Sequence, residues 1–172
     1  MPHLEVRHMR AQDVTAILQL QLVAYPGILL ERDEFFLNRL SLSPQTCWVA
    51  REGGEGALLG YLVAYPWGDG LPPELDVPLQ RLPEPAACWF LHDCAVHPQA
   101  QGRGVGRQLY QTASAAAFGQ GLRQARLVAL AQAATYWRNM GYVDLPEAPL
   151  GLAAKLQSYG DGACYLQRAL MP

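Results

Sequence analysis

A glycine-rich segment, residues 101–107 (Gln-Gly-Arg-Gly-Val-Gly-Arg), is the feature that most constrains how this 172-residue chain can fold. It follows a mostly apolar run over 88–96, which has the length of a buried strand, and it precedes a helix predicted over 104–118. Glycine permits left-handed backbone angles and a close approach of the main chain to a ligand. Because successive N–H groups at a helix start bind anions, the segment predicts a phosphate or pyrophosphate site.

Two well-known phosphate loops have similar turns, and neither fits. A Walker loop needs a Lys after its last glycine, and no Lys lies near residues 101–107. A Rossmann fingerprint has the spacing G-x-G-x-x-G near the start of a βαβ unit. Here the spacing is G-x-G-x-G, past the middle of the chain and after predicted hairpins. A purely structural glycine turn without a ligand stays open at this point.

Hydrophobic periodicity and turn residues predict strands alternating with helices. The length favours one domain over residues 1–172, and the alternation favours an α/β fold of the mixed α+β kind. A hairpin turn is expected at Gly53-Gly54. We expect strands over 4–10, 47–50, 57–65, 88–96, 126–130, 142–145 and 163–170, and helices over 13–23, 31–42, 104–118 and 133–140.

Residues 68–87 interrupt this alternation. The segment contains five prolines and four acidic residues, so it can form neither a regular ladder nor a long helix. Loops of about 20 residues inside a domain are uncommon and are often functional. A solvated insertion and a functional loop are both compatible with the sequence.

Composition excludes several classes of protein. The formal net charge of −2 provides no broad basic surface, so nucleic acid is not an expected partner. No apolar run reaches the roughly 18 residues of a membrane span. The first residues lack the basic-then-apolar layout of a signal peptide, which predicts a cytoplasmic protein without a membrane partner. None of the four cysteines forms a C-x2-C pair, so we expect reduced thiols and no metal site.

Three segments in order resemble the GNAT superfamily of acyl-CoA-dependent N-acyltransferases. They are Gln101-x-x-Gly104-x-Gly106, the preceding segment 95–98 (Ala-Val-His-Pro), and segment 136–142 (Tyr-Trp-Arg-Asn-Met-Gly-Tyr). The order of predicted elements is also similar over nearly the whole chain. The resemblance implies a central mixed, largely antiparallel sheet of about seven strands, splayed at the acetyl-CoA site and flanked by about four helices. Segment 91–97 (Leu-His-Asp-Cys-Ala-Val-His) is further similar to the arylalkylamine (serotonin) N-acetyltransferases.

The resemblance implies a role for each residue of the cofactor site. Acetyl-CoA is the expected acyl donor. Its pantetheine arm would pair with the main chain of the strand segment, and its pyrophosphate would lie on the N–H groups of the glycine turn. Arg103 and Arg107 would add charge. The implied cofactor-binding residues are Cys94, Ala95, Val96, Gln101, Gly102, Arg103, Gly104, Val105, Gly106, Arg107 and Trp137.

The catalytic residues are harder to assign. By resemblance His92 is the proton acceptor, and Phe90 stands where relatives carry a carboxylate or a second histidine. Strand alternation puts Asp93 on the opposite face from His92, unless a bulge rotates the strand. Trp137 occupies the position of the usual acidic Tyr, so Tyr136 is the candidate general acid. A reaction without a protein acid, or with Tyr159 or Tyr165, stays open.

These expectations define a function. An acetyl group would pass from acetyl-CoA to a primary amine, a small cationic or arylalkyl amine, by direct attack in a ternary complex. The acceptor pocket would be framed by residues 25–31, by residues 68–87 and by the C-terminal hairpin, with an aromatic border of Tyr25, Tyr65, Trp67 and Trp89. An acyl-CoA-binding domain without catalysis and a protein or peptide N-acetyltransferase are the alternatives. The sequence is compatible with a monomer or a homodimer.

Overall fold

The computed structural model describes residues 3–27 and 30–172. Residues 1–2, part of the segment considered for a signal peptide, and 28–29, part of the predicted pocket frame, lie outside the described residues. The elements in chain order are β1 (Leu4–His8), α1 (Val14–Ala24), α2 (Asp33–Leu42), β2 (Cys47–Glu52), β3 (Leu58–Trp67), β4 (Cys88–Val96), α3 (Val105–Gly119), β5 (Gln124–Ala129), α4 (Ala134–Asn139), β6 (Val143–Asp144), α5 (Leu152–Gln157) and β7 (Cys164–Ala169).

The strands form one seven-stranded sheet in the order β1-β2-β3-β4-β5-β7-β6. All neighbours are antiparallel except β4 and β5, which run parallel. This confirms the mixed, largely antiparallel sheet expected from the sequence. None of the helices within residues 3–27 and 30–172 is long and apolar enough to cross a membrane.

Helices cover both faces of the sheet, because its central strands are apolar on both sides. On one face α1 and α2 bury Ile17 and Phe35 against β3 residues such as Tyr61. On the other face α3 packs Leu109 and several alanines against β2, β3 and β4. A sheet buried on both faces explains why β3 and β4 read as continuous apolar runs.

Two helix predictions need correction. The second helix begins at Asp33 and not at Glu31, so Glu31 lies in the connection before α2. α5, Leu152–Gln157, was not predicted, which brings the described helices to five where about four were expected. Its six residues, between Gly151 and Gly160, are too few to give a helical hydrophobic pattern.

Residues 68–87, here called the strap, are held against the helical layer by hydrogen bonds, although more than half of them are exposed. Asn38 of α2 donates to the Leu79 carbonyl at 2.8 Å and accepts from the Leu79 N–H at 2.9 Å. The buried Arg39 guanidinium donates to the Val77 carbonyl at 3.0 Å. These bonds satisfy main-chain groups that proline-rich sequence cannot pair in a ladder. The strap therefore forms a stable wall beside α2.

Candidate active site

The parallel pair β4–β5 separates soon after it begins. Its pairing is limited to Trp89 with Ala125 and Phe90 with Arg126, after which the strands diverge. A cleft of about 820 Å³ opens between them and continues to the starts of α3 and α4. The second half of β4 therefore has one paired edge, toward β3, and one open edge, toward the cleft.

The register of β4 determines which main-chain groups face the cleft. The His97 N–H donates to the Leu59 carbonyl at 2.8 Å, which makes these residues a hydrogen-bonded antiparallel pair. Because such pairs alternate along a ladder, the N–H and C=O groups of Cys94 and Val96 point to the open edge. Burial, and next the charge of Asp93, raise the pKa of the Cys94 thiol to about 12. At neutral pH the Cys94 thiol is therefore protonated and uncharged. The polar contacts of this residue come from its main chain.

The glycine turn closes one end of the cleft. Gly102 and Gly104 have φ values of 78° and 79°, and a Cβ at either position would meet nothing within 4 Å. Glycine is therefore required by backbone angle, and the space above both residues is open to a ligand. Gly104 caps α3, whose first N–H groups have no acceptor within the helix. Gln101, Gly102, Gly104, Val105 and Gly106 all line the cleft.

The two arginines of this turn differ. The Arg103 side chain makes a 2.9 Å ion pair with Glu52 and does not line the cleft. Arg107 does line it, and it is the one Lys or Arg in the cleft wall among the described residues. Arg107 is thus the side chain available to an anion bound at the turn.

A β-bulge changes the expected faces of β4. The register with β3 shifts between Val63 and Ala64, which pair with Asp93 and Leu91 and leave His92 unpaired. As a result His92 and Asp93 both contact side chains of the α1–α2 face, and Cys94 packs on the α3 face. The alternation that put Asp93 opposite His92 is therefore wrong, and the exception allowed for, a bulge that rotates the strand, is what occurs. The extra residue of the bulge reverses the alternation.

His92 is held by hydrogen bonds at both ring nitrogens. The Tyr65 hydroxyl lies 2.7 Å from Nδ1, and the Glu31 Oε1 atom lies 2.7 Å from Nε2. Because a carboxylate can only accept, Nε2 carries the proton and Nδ1 accepts from Tyr65. The ring also stacks on Phe35, with 4.4 Å between centroids. Its side chain is only 1% exposed, and that of Glu31 is 9% exposed, so Glu31 is the more accessible member of the pair.

Glu31 ends the predicted pocket frame 25–31, but sequence reasoning assigns it no chemical role. Both main-chain polar groups of Glu31 bond to the buried Gln21 amide, at 2.6 and 3.3 Å. Its second carboxylate oxygen, Oε2, accepts from the Asp76 N–H at 3.0 Å. Glu31 lines the cleft beside His92 although it belongs to a connection between helices. No local pattern links two residues 61 positions apart, so the pair could be found only in the fold.

Asp93 is a second carboxylate in the same wall. Tyr25 donates to Oδ1 at 2.7 Å, and Tyr61 donates to Oδ2 at 2.5 Å. Burial raises the pKa of Asp93 to about 6, aided by the negative charge of Glu31 and opposed by the two tyrosine hydroxyls. The carboxyl group of Asp93 therefore titrates close to neutral pH, where enzymes use acids and bases.

α4 forms the wall near the glycine turn. Tyr136 is 52% exposed and lines the cleft, next to Trp137, whose ring packs against Tyr110 and Tyr142. Burial, and next the neighbouring Cys94, raise the pKa of the Tyr136 hydroxyl. Tyr136 is thus a protonated hydroxyl in the cleft at neutral pH.

The other aromatic predictions are only partly met. Tyr159 lines the cleft, but its hydroxyl donates to the Pro73 carbonyl, whereas Tyr165 is buried and does not line it. Of the four predicted border residues Tyr25 alone lines the cleft. Tyr65 and Trp89 are fully buried, and Trp67 bonds to the Leu71 carbonyl outside the cleft. The wall around Glu31 and His92 is formed instead by Asp93, Tyr25, Tyr159 and Leu75 of the strap.

Comparison with known proteins gives a family and a fold. The family model described as acetyltransferase (GNAT) family matches residues 13–142. A search of curated protein sequences found no match.

Solved structures with the same fold include an acetyltransferase of the GNAT family from Brucella melitensis in complex with acetyl-CoA. It is 20% identical, with a TM-score of 0.63 over 100% of this chain and 91% of that one. N-acetylglutamate synthase from Neisseria gonorrhoeae is 21% identical, with a TM-score of 0.73 over 100% of this chain and 36% of that one. Naa20 from Chaetomium thermophilum, bound to a bisubstrate analogue, is 19% identical, with a TM-score of 0.68 over 96% and 86%.

Proposed function

Because this chain belongs to the acetyltransferase (GNAT) family, we propose that it transfers an acetyl group from acetyl-CoA to a small cationic primary amine. The observation that carries the proposal is the Glu31–His92 pair, which stands in the wall of the cleft beside the open edge of β4. A proton-accepting pair next to a strand edge and an anion-binding turn is the arrangement that amine acylation needs.

The cofactor end fits acetyl-CoA. The open edge of β4 offers the Cys94 N–H and the Val96 main chain to an extended amide-containing arm, whereas the Cys94 carbonyl already accepts from the Tyr25 hydroxyl at 3.2 Å. The free N–H groups around Gly104 suit a pyrophosphate, and Arg107 suits a phosphate. Bound there, acetyl-CoA supplies an activated thioester carbonyl, and the chain's own residues position it and move protons.

The Glu31–His92 pair provides the proton acceptor. An alkylamine has a pKa similar to that of Lys, about 10.4, so at neutral pH it arrives as a cation that cannot attack. We propose that the Glu31 carboxylate receives the first proton of the ammonium ion, while the His92 Nε2–H bond to Oε1 holds that carboxylate in place. The second proton of the amine nitrogen leaves to water as the tetrahedral intermediate collapses. The departing sulfur then gains a proton from Tyr136, the hydroxyl exposed at the other side of the cleft.

We place the acceptor beside Glu31 and His92, and the charges of this acceptor end favour a cation over an anion. Glu31 and Asp93 both line it, and within the described residues the cleft's only Lys or Arg, Arg107, belongs to the glycine turn. An acceptor with a carboxylate would meet two acids and no cation there. Tyr25 and Leu75 provide surface for an apolar body. We therefore propose an amine such as an arylalkylamine, which is also the class indicated by the resemblance of segment 91–97.

The test is a panel of acceptors with acetyl-CoA, in which release of the free thiol is followed. The panel contains arylalkylamines, alkyl diamines, free amino acids, an aminoglycoside and short peptides with a free N-terminus. We expect kcat/KM for the best arylalkylamine to exceed that of every amino acid by about 100-fold, since two facing carboxylates repel an anion. Preferred acetylation of an amino acid or a peptide would contradict the proposal.

A further inference from the structure

The strap reaches into the active site at one residue, Asp76. Its N–H donates to Glu31 Oε2 at 3.0 Å. Its carboxylate accepts from the Arg32 N–H at 2.8 Å and from Arg32 Nε at 2.7 Å. One residue of the strap therefore holds the side chain of Glu31 and both the main chain and side chain of the residue that follows.

Asp76 makes these bonds from an unusual conformation. Its φ of 55° lies in the left-handed region, and no other non-glycine residue in the described ranges has a positive φ. Asp and Asn tolerate this region best among non-glycine residues, whereas β-branched residues avoid it. The conformation lets the N–H and the carboxylate of one residue bond to adjacent residues of another segment.

Glu31 needs such external support because it lies outside any helix or strand. Gln21 fixes its main chain, His92 binds Oε1, and only Asp76 binds Oε2 in the described structure. A carboxylate that moves a proton must keep its geometry within about 0.5 Å, and groups behind it provide that precision.

We propose that Asp76 is a positioning residue that holds Glu31 Oε1 toward His92 and the acceptor by donating its main-chain N–H to Oε2. The inference rests on the proposed role of Glu31 in proton transfer. The strap then has two roles. It forms part of the pocket wall, and its residue Asp76 sets the orientation of the proton acceptor Glu31.

Three substitutions separate the N–H from the carboxylate of Asp76. Asp76→Val disfavours the left-handed conformation and so withdraws the N–H from Glu31. Asp76→Asn tolerates that conformation and keeps an oxygen acceptor for Arg32, whereas Asp76→Gly keeps only the conformation and the N–H. Glu74→Gln is the matched control, because it changes an exposed strap carboxylate, paired with Lys155, two residues away.

We expect Asp76→Val to lower kcat with the best amine by about tenfold, with KM for acetyl-CoA unchanged, since misplacement of a catalytic group slows the chemical step. Asp76→Asn and Asp76→Gly should stay within about threefold of the unaltered protein because both retain the N–H donor. Equal kcat in Asp76→Val and Glu74→Gln would overturn the proposal. A loss in Asp76→Gly as large as that in Asp76→Val would also overturn it.

Two further measurements keep the outcomes distinct. If Glu31→Gln leaves kcat unchanged, the proposed function and the inference both fail; if Glu31→Gln is inactive and Asp76→Val is fully active, only the inference fails.

The His92 Nε2 proton gives a readout without turnover. Its NMR signal, protected by the bond to Glu31, should broaden in Asp76→Val and persist in Asp76→Asn. Persistence in both variants would contradict the positioning role.

Discussion

Glu31 Oε1 and His92 Nε2 lie 2.7 Å apart, although the two residues are 61 positions apart in the chain. The contact joins the connection before α2 to the bulge of β4, the one place where the ladder with β3 leaves a residue unpaired. The bulge turns His92 and Asp93 to the same side of the sheet, where α1, α2 and the strap meet. Three separate features of the fold thus assemble a pair of groups suited to proton transfer.

An acidic side chain at Gly104 should weaken the binding of acetyl-CoA at the glycine turn. In Gly104→Glu, the φ of 79° strains any L-residue, and the new carboxylate faces the bound phosphates. We expect the dissociation constant for acetyl-CoA, measured calorimetrically, to rise by about 100-fold or more. Gly119→Glu places the same side chain at the far end of α3 and serves as the control. Unchanged affinity in Gly104→Glu would show that the turn is not the phosphate site.

If Tyr136 is the general acid, loss of its hydroxyl should lower kcat only with donors whose departing sulfur needs a proton. We expect Tyr136→Phe to lower kcat with acetyl-CoA by about 100-fold, the lower end of the range for general acid catalysis. An aromatic thiolate is a weak base that departs without protonation. With an acetyl thioester of an aromatic thiol as donor, the variant and the unaltered protein should therefore differ less than twofold. The same loss with both donors would contradict the assignment of Tyr136 as the acid.

Asp93 should make stability depend on pH. Its pKa is raised from 3.8 to about 6, so between these values the folded protein holds a proton that the unfolded chain has lost. Stability from this group is present below pH 4 and is lost as the pH rises through 6. Asp93→Asn cannot ionise, and its free energy of unfolding relative to the unaltered protein should increase by about 2 kcal/mol from pH 4 to pH 8. Thermal unfolding at both pH values checks this, and a pH-independent difference would contradict it.

The glycine turn and the order of strands and helices could be predicted, because both depend on residues that are neighbours in the sequence. Gly102 and Gly104 follow an apolar strand and open a helix, and nothing distant is needed to make that turn. The order of strands and helices follows from hydrophobic periodicity, and the extent of the sheet agrees with it. The family resemblance rested on the same segments, and the family model matches across them.

Features set by tertiary contacts were not predictable. The bulge at His92 arises from a one-residue mismatch between β3 and β4, so strict alternation gave the wrong side for Asp93. Glu31 looked like the first residue of a helix, but it bonds to Gln21, Asp76 and His92 from three other segments. Trp89, predicted at the pocket border, is fully buried because hydrophobicity alone does not tell a core position from a pocket wall.

The most direct test of the central claim is a double-mutant cycle on the Glu31–His92 pair. Glu31→Gln, His92→Ala and the double variant are compared by kcat for the best amine, with the exposed Glu34→Gln as control. If the two residues act as one proton acceptor, each single variant lowers kcat by about 100-fold and the double variant is no slower than either. Losses that multiply in the double variant, or single variants as active as Glu34→Gln, would contradict the account.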